Sequence, residues 1–201
     1  MSVSREQVER YTKYRLERLI GMTQPSAQSG VLARLRRGVG HHPGSQPWLW
    51  GELLSEMPQE MMNNSGEPSN AEMAVYTALT LFALHQQSKD IKSECMHCEG
   101  TTLGAACGSL VADENDRDRV ARRFNAMATS ANLSELSNHL RGIVQLLRAK
   151  DIGLDYSALA GELYVYSFKA RRNDIRLKWG QDFYREIYNN IDKNKEDENN
   201  E

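Results

Sequence analysis

The sequence predicts an all-α fold, a compact bundle of about eight to nine amphipathic helices. Apolar residues recur at helical spacing along nearly the whole chain. Alternating β-branched runs joined by Asn-Gly or Asp-Gly turns, which would indicate hairpins, are absent from the sequence. All five prolines fall at or before position 68, so no proline interrupts the helices that follow.

The first two helices have recognisable ends. Ser4 and Gln7 form a capping-box pattern, and the apolar stripe that follows them ends at Gly21. Pro25 fits the first turn of a second helix, which Gly38 terminates. A loop with two prolines comes next, and the segment WLWGELLSEM predicts a short third helix.

The rest of the chain predicts longer helices. Asn70 is the expected N-cap of a helix over about 71–88. Further helices are predicted at about 101–112, 115–130, 132–150, 155–169 and 171–190.

We expect one all-helical domain over residues 1–191, divisible into sub-bundles 1–68 and 69–191. Residues 192–201, DKNKEDENNE, hold five acids and two lysines and are predicted to be a disordered acidic tail.

The net charge depends on which part of the chain is considered. The whole chain carries a net charge of −2, but the tail alone carries −3, so residues 1–191 carry +1. This charge is compatible with a nucleic-acid partner. No apolar run approaches the roughly 20 residues of a membrane-spanning helix, and the charged N-terminus lacks the apolar segment of a secretory signal. We therefore expect a cytoplasmic protein without a membrane partner.

Positive side chains repeat at helical spacing in four separate segments. Arg119, Arg122 and Arg123 share one helix face, and Arg141 and Arg148 share another. Such arginine faces suit bidentate contacts with phosphate, although a solvated face paired with nearby acids explains them equally well. The predicted nucleic-acid-binding residues are Arg34, Arg37, Arg119, Arg122, Arg123, Arg141, Arg148, Lys169, Arg171, Arg172 and Arg176.

The three cysteines offer an alternative chemistry. Cys95 and Cys98 have the C-x-x-C spacing of two zinc ligands, and Cys107, His85 or His97 could complete the set. No second clean pair is present in the sequence, so this pattern favours free buried thiols, and we expect neither a metal nor a cofactor.

The paired histidines and the tryptophans have both functional and structural explanations. His41 and His42 could serve acid–base chemistry, but a turn packed under Trp48 and Trp50 is the simpler expectation because no carboxylate partner is evident. Trp48, Trp50 and Trp179 could stack on bases, yet large aromatic residues are more often core anchors. The common NTPase, hydrolase and zincin motifs are absent, so no enzyme activity is expected.

Five segments in order resemble one known family. They are LARLRRGVGHHPGSQPWLW, GTTLGAACGSL, RVARRFNAM, LSNHLRGIVQLLRAKDIGLDYSALAGELYVY and KARRNDIRLKWGQDFY. In this order and separation they resemble the small subunit of the type I-E CRISPR Cascade effector, the CasB family, over about residues 8–190.

The resemblance implies an all-α, non-catalytic subunit present in two copies in a complex that contains crRNA and other Cascade subunits. Its basic faces would hold target DNA, and the crRNA backbone as a further contact, while the R-loop forms. The residues carried over are Arg34, Arg37, Arg122, Arg123, Arg141, Lys169, Arg171, Arg172 and Arg176. The alternatives left open are a helical adaptor that binds only protein and a small zinc-dependent enzyme using Cys95 and Cys98.

Overall fold

The computed structural model describes residues 3–198, apart from the side chains of residues 114, 115 and 191–198. Within this range the chain forms nine α-helices and no β-strand, which confirms the predicted all-α bundle. The helices are α1 (Arg5–Ile20), α2 (Pro25–Arg37), α3 (Trp50–Leu53), α4 (Asn70–His85), α5 (Leu103–Gly108), α6 (Glu114–Ala128), α7 (Leu133–Ala149), α8 (Tyr156–Ser167) and α9 (Arg172–Glu198). Three 3-10 turns lie at Pro43–Ser45, Pro47–Leu49 and Gln59–Met61.

The helix ends follow the capping rules, with one correction. The capping box of Ser4 and Gln7 is present, and Pro25 occupies the first turn of α2. The N-cap of α4 is Ser69 and not Asn70, because the Ser69 hydroxyl accepts a hydrogen bond from the Glu72 amide at 3.0 Å. The Glu72 carboxylate in turn accepts one from the Ser69 amide at 2.6 Å, so two otherwise unpaired donors are satisfied.

Helix α4 lies at the centre of the bundle and is buried on nearly every side. It packs against α1, α2, α7 and α8, while α1 also lies along α8. Helices from both predicted sub-bundles therefore share one hydrophobic core, and the division at residue 68 stays a prediction.

Two glycines let α5 approach α9 closely. A Cβ atom added at Gly108 would lie 2.7 Å from the Phe183 carbonyl oxygen, and one added at Gly104 would lie 3.0 Å from the Phe183 nitrogen. Only glycine fits at both positions, so the Leu103–Gly108 helix can lie directly on the backbone of α9.

The last helix ends later than the sequence predicts. Its backbone continues from Arg172 to Glu198, into the segment expected to be a disordered tail. The tail's side chains and residues 199–201 lie outside the described part, so the disorder itself stays a prediction. No helix in the described range is long and apolar enough to cross a membrane.

Candidate nucleic-acid interface

Three helix ends meet at one place on the surface, and two of them carry arginines. α2 ends with Arg36 and Arg37, and the last turn of α7 carries Arg148. The Arg148 guanidinium donates a hydrogen bond to Gln87 Oε1, 2.9 Å away and just beyond the end of α4. Arg36 lies close enough to Arg148 and Arg37 to be affected by both charges. We call Arg36, Arg37 and Arg148 the basic cluster.

The local sequence explains this convergence. Leu35 and Leu147 are buried, so the arginines that follow them turn toward the rim of the core. The Tyr76 hydroxyl donates a hydrogen bond of 2.6 Å to the Gly38 carbonyl oxygen, which fixes the end of α2 against α4. The basic cluster is thereby held by packed elements and not by loops.

The basic cluster is not neutralised by any carboxylate of the described residues. Burial lowers the pKa of Arg36, and the charges of Arg148 and Arg37 lower it further. In the part of the chain that the structure describes, none of the three arginines forms an ion pair. Each helix dipole favours a cation at its C-terminus by about 0.3–1 kcal/mol, which does not explain three guanidinium groups that repel one another. A polyanion bound there would relieve that repulsion.

Arg141 extends the positive charge along α7. It is exposed and lies seven residues, or two turns, before Arg148, so the two side chains share a face about 10 Å apart. It too has no ion-pair partner among the described residues. The sequence-based pairing of Arg141 with Arg148 therefore corresponds to one face of α7.

A second basic area lies where α6 meets the end of α7. Arg119, Arg123 and Lys150 line a groove of about 130 Å³ there. Arg119 is paired with Asp116, whereas Arg123 and Lys150 are exposed and form no ion pair within the described range. Because Arg148 and Lys150 both belong to the end of α7, this helix end lies between the two basic areas.

The neighbouring Arg122 is exposed, and its Nε atom donates to the Asp118 carbonyl oxygen one turn earlier in α6, at 3.3 Å. This contact lies within its own helix and involves one nitrogen, so most of the guanidinium group faces solvent.

In the final basic segment, Arg172 and Arg176 bind other parts of the chain and stabilise the fold. The Arg176 Nη2 atom donates a hydrogen bond of 2.8 Å to the Ser130 carbonyl oxygen, and Arg172 donates to that of Ala131. Both guanidinium groups also lie over the Tyr166 ring, with their Cζ atoms 5.7 Å and 5.0 Å from its centroid. These two arginines hold the α6–α7 connection against α8 and α9.

The other two residues of that segment differ from each other. Arg171 pairs with Asp174, with 2.8 Å between Nε and Oδ2. Lys169 is exposed and has no partner among the described residues.

Arg34 is neutralised, unlike the other arginines of α2. Its guanidinium donates a hydrogen bond of 2.9 Å to Glu52 Oε1, and the buried Arg15 lies 3.6 Å from the other oxygen of the same carboxylate. The three-residue spacing groups Arg34 with Arg37, although Arg34 is ion-paired and Arg37 forms no ion pair within the described residues.

Sequence reasoning missed Arg36 and Lys150. Arg36 breaks the three-residue spacing of its neighbours, and its importance comes from the proximity of Arg148 on another helix. Lys150 lies at the C-cap of α7, and it belongs to a basic area only because Arg119 and Arg123 of α6 line the same groove. No pattern within a single helix could identify either residue.

The cysteines do not assemble a metal site in the described part of the chain, where no three His, Cys, Asp or Glu side chains are grouped to hold an ion. All three thiols are free, but the expected burial holds only for Cys107, since Cys95 is half-buried and Cys98 is exposed. Cys107 is fully buried beneath α9, and burial raises its pKa to about 12, so it is a packed neutral thiol. The Nδ1 atom of His97 accepts a hydrogen bond from the Tyr156 amide at 3.2 Å, a structural contact.

The expectation that Trp48 and Trp50 are buried anchors is wrong. Their exposed fractions are 52% and 45%, whereas Trp179 is fully buried, as expected. Trp48 lies in the 3-10 turn Pro47–Leu49, and Trp50 begins the short helix α3, so this part of the chain has too little regular structure to bury two indoles. The loop before them is held by His42, whose Nδ1 accepts from the Gly44 amide at 3.1 Å.

Comparison with known proteins identifies the family. A sequence model described as CRISPR-associated protein Cse2 matches residues 31–184. The crystal structure of CasB from Thermobifida fusca superposes with a TM-score of 0.72 at 29% identity, covering 88% of this chain and 97% of that one. The crystal structure of CasB from M. ruber gives a TM-score of 0.63 at 24% identity, covering 89% and 94% of the two chains, and supports the fold.

A search of curated protein sequences gives no match. The Cse2 model, however, covers more than half of the chain and includes α7, Arg36 and the other residues of the basic cluster. The match to the Thermobifida fusca CasB structure extends over nearly the whole of both chains. The chain therefore belongs to the Cse2, or CasB, family, the small subunit of the type I-E CRISPR Cascade complex.

Proposed function

We propose that this subunit binds nucleic-acid backbone without sequence preference and holds DNA strands while the R-loop forms. Membership of the family gives it a role in a crRNA-guided interference complex beside other Cascade subunits. The observation that carries the proposal is the basic cluster, where Arg36, Arg37 and Arg148 converge without a neutralising carboxylate among the described residues. Target DNA is the proposed partner, with the crRNA backbone as a further contact.

The energetics of strand exchange suit such a subunit. An RNA–DNA duplex replaces a DNA duplex of similar stability, so modest contacts to the displaced or paired strand can tip the balance. Arginine contacts to phosphate serve every guide sequence equally, which base-reading side chains could not do. The role needs no bond-making step, and we infer a non-catalytic subunit.

The predicted arginines contribute unequally to this proposal. The residues free to bind phosphate are those of the basic cluster, with Arg141, Arg123 and Lys150 beside it. Arg122 and Lys169 are exposed and could extend the surface. Five predicted residues already form an ion pair or bond to backbone carbonyl oxygens of another segment, and these are Arg34, Arg119, Arg171, Arg172 and Arg176. Arg148 and Arg122 each donate one hydrogen bond, to Gln87 and to the Asp118 carbonyl oxygen, and form no ion pair within the described range.

The proposal is tested by fluorescence anisotropy with two labelled DNA oligonucleotides of unrelated sequence. Replacing Arg36 and Arg148 with Ala should weaken binding of both oligonucleotides alike. Removal of one arginine–phosphate interaction should reduce the slope of log affinity against log salt concentration by about 0.7–0.9, because fewer counterions are released.

Arg185→Ala is the matched control, since Arg185 is exposed and already paired with Asp182 at 3.0 Å. It removes one positive charge without touching the basic cluster, so its salt slope should stay close to that of the wild type. Salt-insensitive binding, or equal losses of affinity in the control and the double variant, would count against the proposal.

A second candidate function, a helical adaptor for protein partners, is favoured by exposed apolar side chains on α9. Leu177, Tyr184 and Tyr188 are 64%, 45% and 60% exposed, and their spacing of seven and four residues places them on one helix face. A second copy of the chain in the complex is a proposed partner of this kind. Retention of a protein partner at high salt after nuclease treatment would indicate this function, which can coexist with nucleic-acid binding.

A further inference from the structure

A groove lies between the loop at residues 40–42, the middle of α4 and the beginning of α7, with a volume of about 310 Å³. The side chains that matter for its chemistry are His41, His42, Thr77, Thr80, Ser134 and Asn138. We call it the histidine groove. No aspartate or glutamate of the described range lines it, so it offers hydrogen-bond donors without a fixed negative charge.

The first turn of α7 supplies backbone donors to the histidine groove. The Asn132 side chain caps the Glu135 amide at 2.9 Å, but the amides of Leu133 and Ser134 have no acceptor within the described residues. Both residues line the groove. Unpaired amides at a helix N-terminus attract anions, and the helix dipole adds to that attraction.

An unpaired hydroxyl at the groove wall gives an independent indication of a ligand. Thr77 is only 3% exposed, lines the groove, and its hydroxyl has no hydrogen-bond partner in the described part of the chain. Thr80, one turn later, bonds instead to the carbonyl oxygens of Tyr76 and Thr77, at 2.9 Å and 3.1 Å. Among the described residues only His85 Nε2 and Arg176 Nε are fully buried without a partner, so the Thr77 hydroxyl is reached by water from the groove, and an acceptor bound there would replace that water.

The two histidines differ in their availability. His42 is engaged, since its Nδ1 accepts from the Gly44 amide and its Nε2 lies 3.8 Å from a Glu67 carboxylate oxygen. His41 is exposed, lines the groove and has no side-chain partner among the described residues. Gly40, at a φ of 79°, turns the chain so that His41 follows the end of α2 into the groove wall.

The histidine groove is continuous with the arginine surface. Ser134, Ser137, Arg141 and Arg148 follow one another on α7 at three, four and seven residues, so they lie along one face. From Ser134 to Arg148 this face is about 21 Å long, which spans about six phosphates along one strand of a duplex. An anion in the groove would thus lie in line with phosphates on Arg141 and on the basic cluster.

We propose that the histidine groove binds one phosphate group of a nucleic-acid strand, through the Leu133 and Ser134 amides, the Thr77 hydroxyl and His41. The neighbouring phosphates of the same strand contact Arg141 and the basic cluster. This inference rests on the proposed function and adds a site whose amide and hydroxyl donors carry no charge, which fixes the position of the strand along the arginines. Uncharged donors do not add to the number of counterions released when a strand binds. Removing them should therefore lower the affinity without changing the slope of log affinity against log salt concentration.

The test measures binding of a short labelled single-stranded oligodeoxynucleotide to Thr77→Val and His41→Ala. Thr77→Val removes the hydroxyl at almost constant shape, and His41→Ala changes an exposed residue that the fold does not need. Each should weaken binding about fivefold or more, and Thr77→Val should leave the salt slope unchanged. Thr80→Val is the matched control, because its hydroxyl already bonds within α4, and it should bind as the wild type does.

A second measurement follows the amide resonances of Leu133 and Ser134 by NMR during titrations with the oligodeoxynucleotide and with inorganic phosphate. Shifts with the oligodeoxynucleotide support the strand site. Shifts with inorganic phosphate alone, together with unaltered strand binding by Thr77→Val and His41→Ala, overturn it in favour of a free-phosphate site. No shift with either probe means that only water occupies the groove and overturns the inference.

The two proposals fail differently. If the Arg36 and Arg148 double variant loses binding while the groove variants do not, the proposed function stands and the groove inference is wrong. If the wild-type protein binds no oligonucleotide, the proposed function is wrong, and this inference fails with it.

Discussion

His85 should make the stability of this protein depend on pH in a defined window. The side chain is fully buried, its Nδ1 atom lies 2.9 Å from the Tyr156 hydroxyl, and Nε2 has no partner within the described residues. Burial lowers its pKa from 6.5 to about 4, with the charges of Lys89 and Arg148 adding to the effect and Asp151 opposing it. In the folded protein the ring is therefore neutral at pH 5, whereas in the unfolded chain it is protonated.

The sign and magnitude follow from proton linkage. Because the unfolded state binds the proton more tightly, the free energy of unfolding falls as pH drops below 6.5 and stops falling below the folded pKa of about 4. With these two pKa values the decrease between pH 7 and pH 5 is about 2 kcal/mol, and about 3 kcal/mol when complete.

The assay is urea denaturation of the wild type and of His85→Leu at pH 7 and pH 5. Leucine cannot titrate, and the Tyr156 hydroxyl keeps a second acceptor in the Leu81 carbonyl oxygen, 3.4 Å away. The free energy of unfolding of the wild type should fall by about 2 kcal/mol more than that of the variant between the two pH values, whatever the absolute stability of each. Equal pH dependence in both proteins would refute the assignment of the proton uptake to His85.

Two further predictions concern packing and buried charge. Gly104→Ala should lower the free energy of unfolding by about 1–3 kcal/mol, because its methyl group would overlap the backbone of α9. Gly180→Ala has open space around it and should be neutral or stabilising by up to about 1 kcal/mol. Equal effects of the two substitutions would contradict close α5–α9 packing. Glu162→Leu should cost about 2–3 kcal/mol, since Glu162 is 1% exposed and accepts hydrogen bonds of 2.7 Å from both Lys178 and Trp179. Glu162→Gln keeps an acceptor and should cost clearly less, and urea denaturation measures all four variants.

The helices could be predicted because their signals are local. A capping box at Ser4 and Gln7, a proline at the start of α2 and the apolar stripe of α7 each act within a few residues. The α4 cap shows the limit of such reasoning, since Ser69 and Asn70 are both good N-cap residues. The choice between them depends on Glu72, which lies three residues beyond Ser69.

The candidate site could be predicted only in part. Helical spacing correctly grouped Arg141 with Arg148 on one face of α7, but spacing alone treats every arginine in a face alike. It could not distinguish Arg172 and Arg176, which bind backbone carbonyl oxygens of the α6–α7 connection, from arginines free to meet phosphate. It also could not place the tryptophans, because exposure depends on what the rest of the chain leaves uncovered.

By itself, the sequence determined the helical class of this protein and the family to which it belongs. Both depend on local patterns and on the order of segments along the chain, which exist before folding. Only the tertiary structure decided which charges remain unneutralised and where they meet. Arg36 belongs to a cluster because folding brings the end of α2 close to Arg148 at the end of α7. The histidine groove exists because the loop at residues 40–42, α4 and the beginning of α7 meet at one place. Electrostatic and hydrogen-bonding partners depend on distance in space, and for residues far apart in sequence that distance is set by packing.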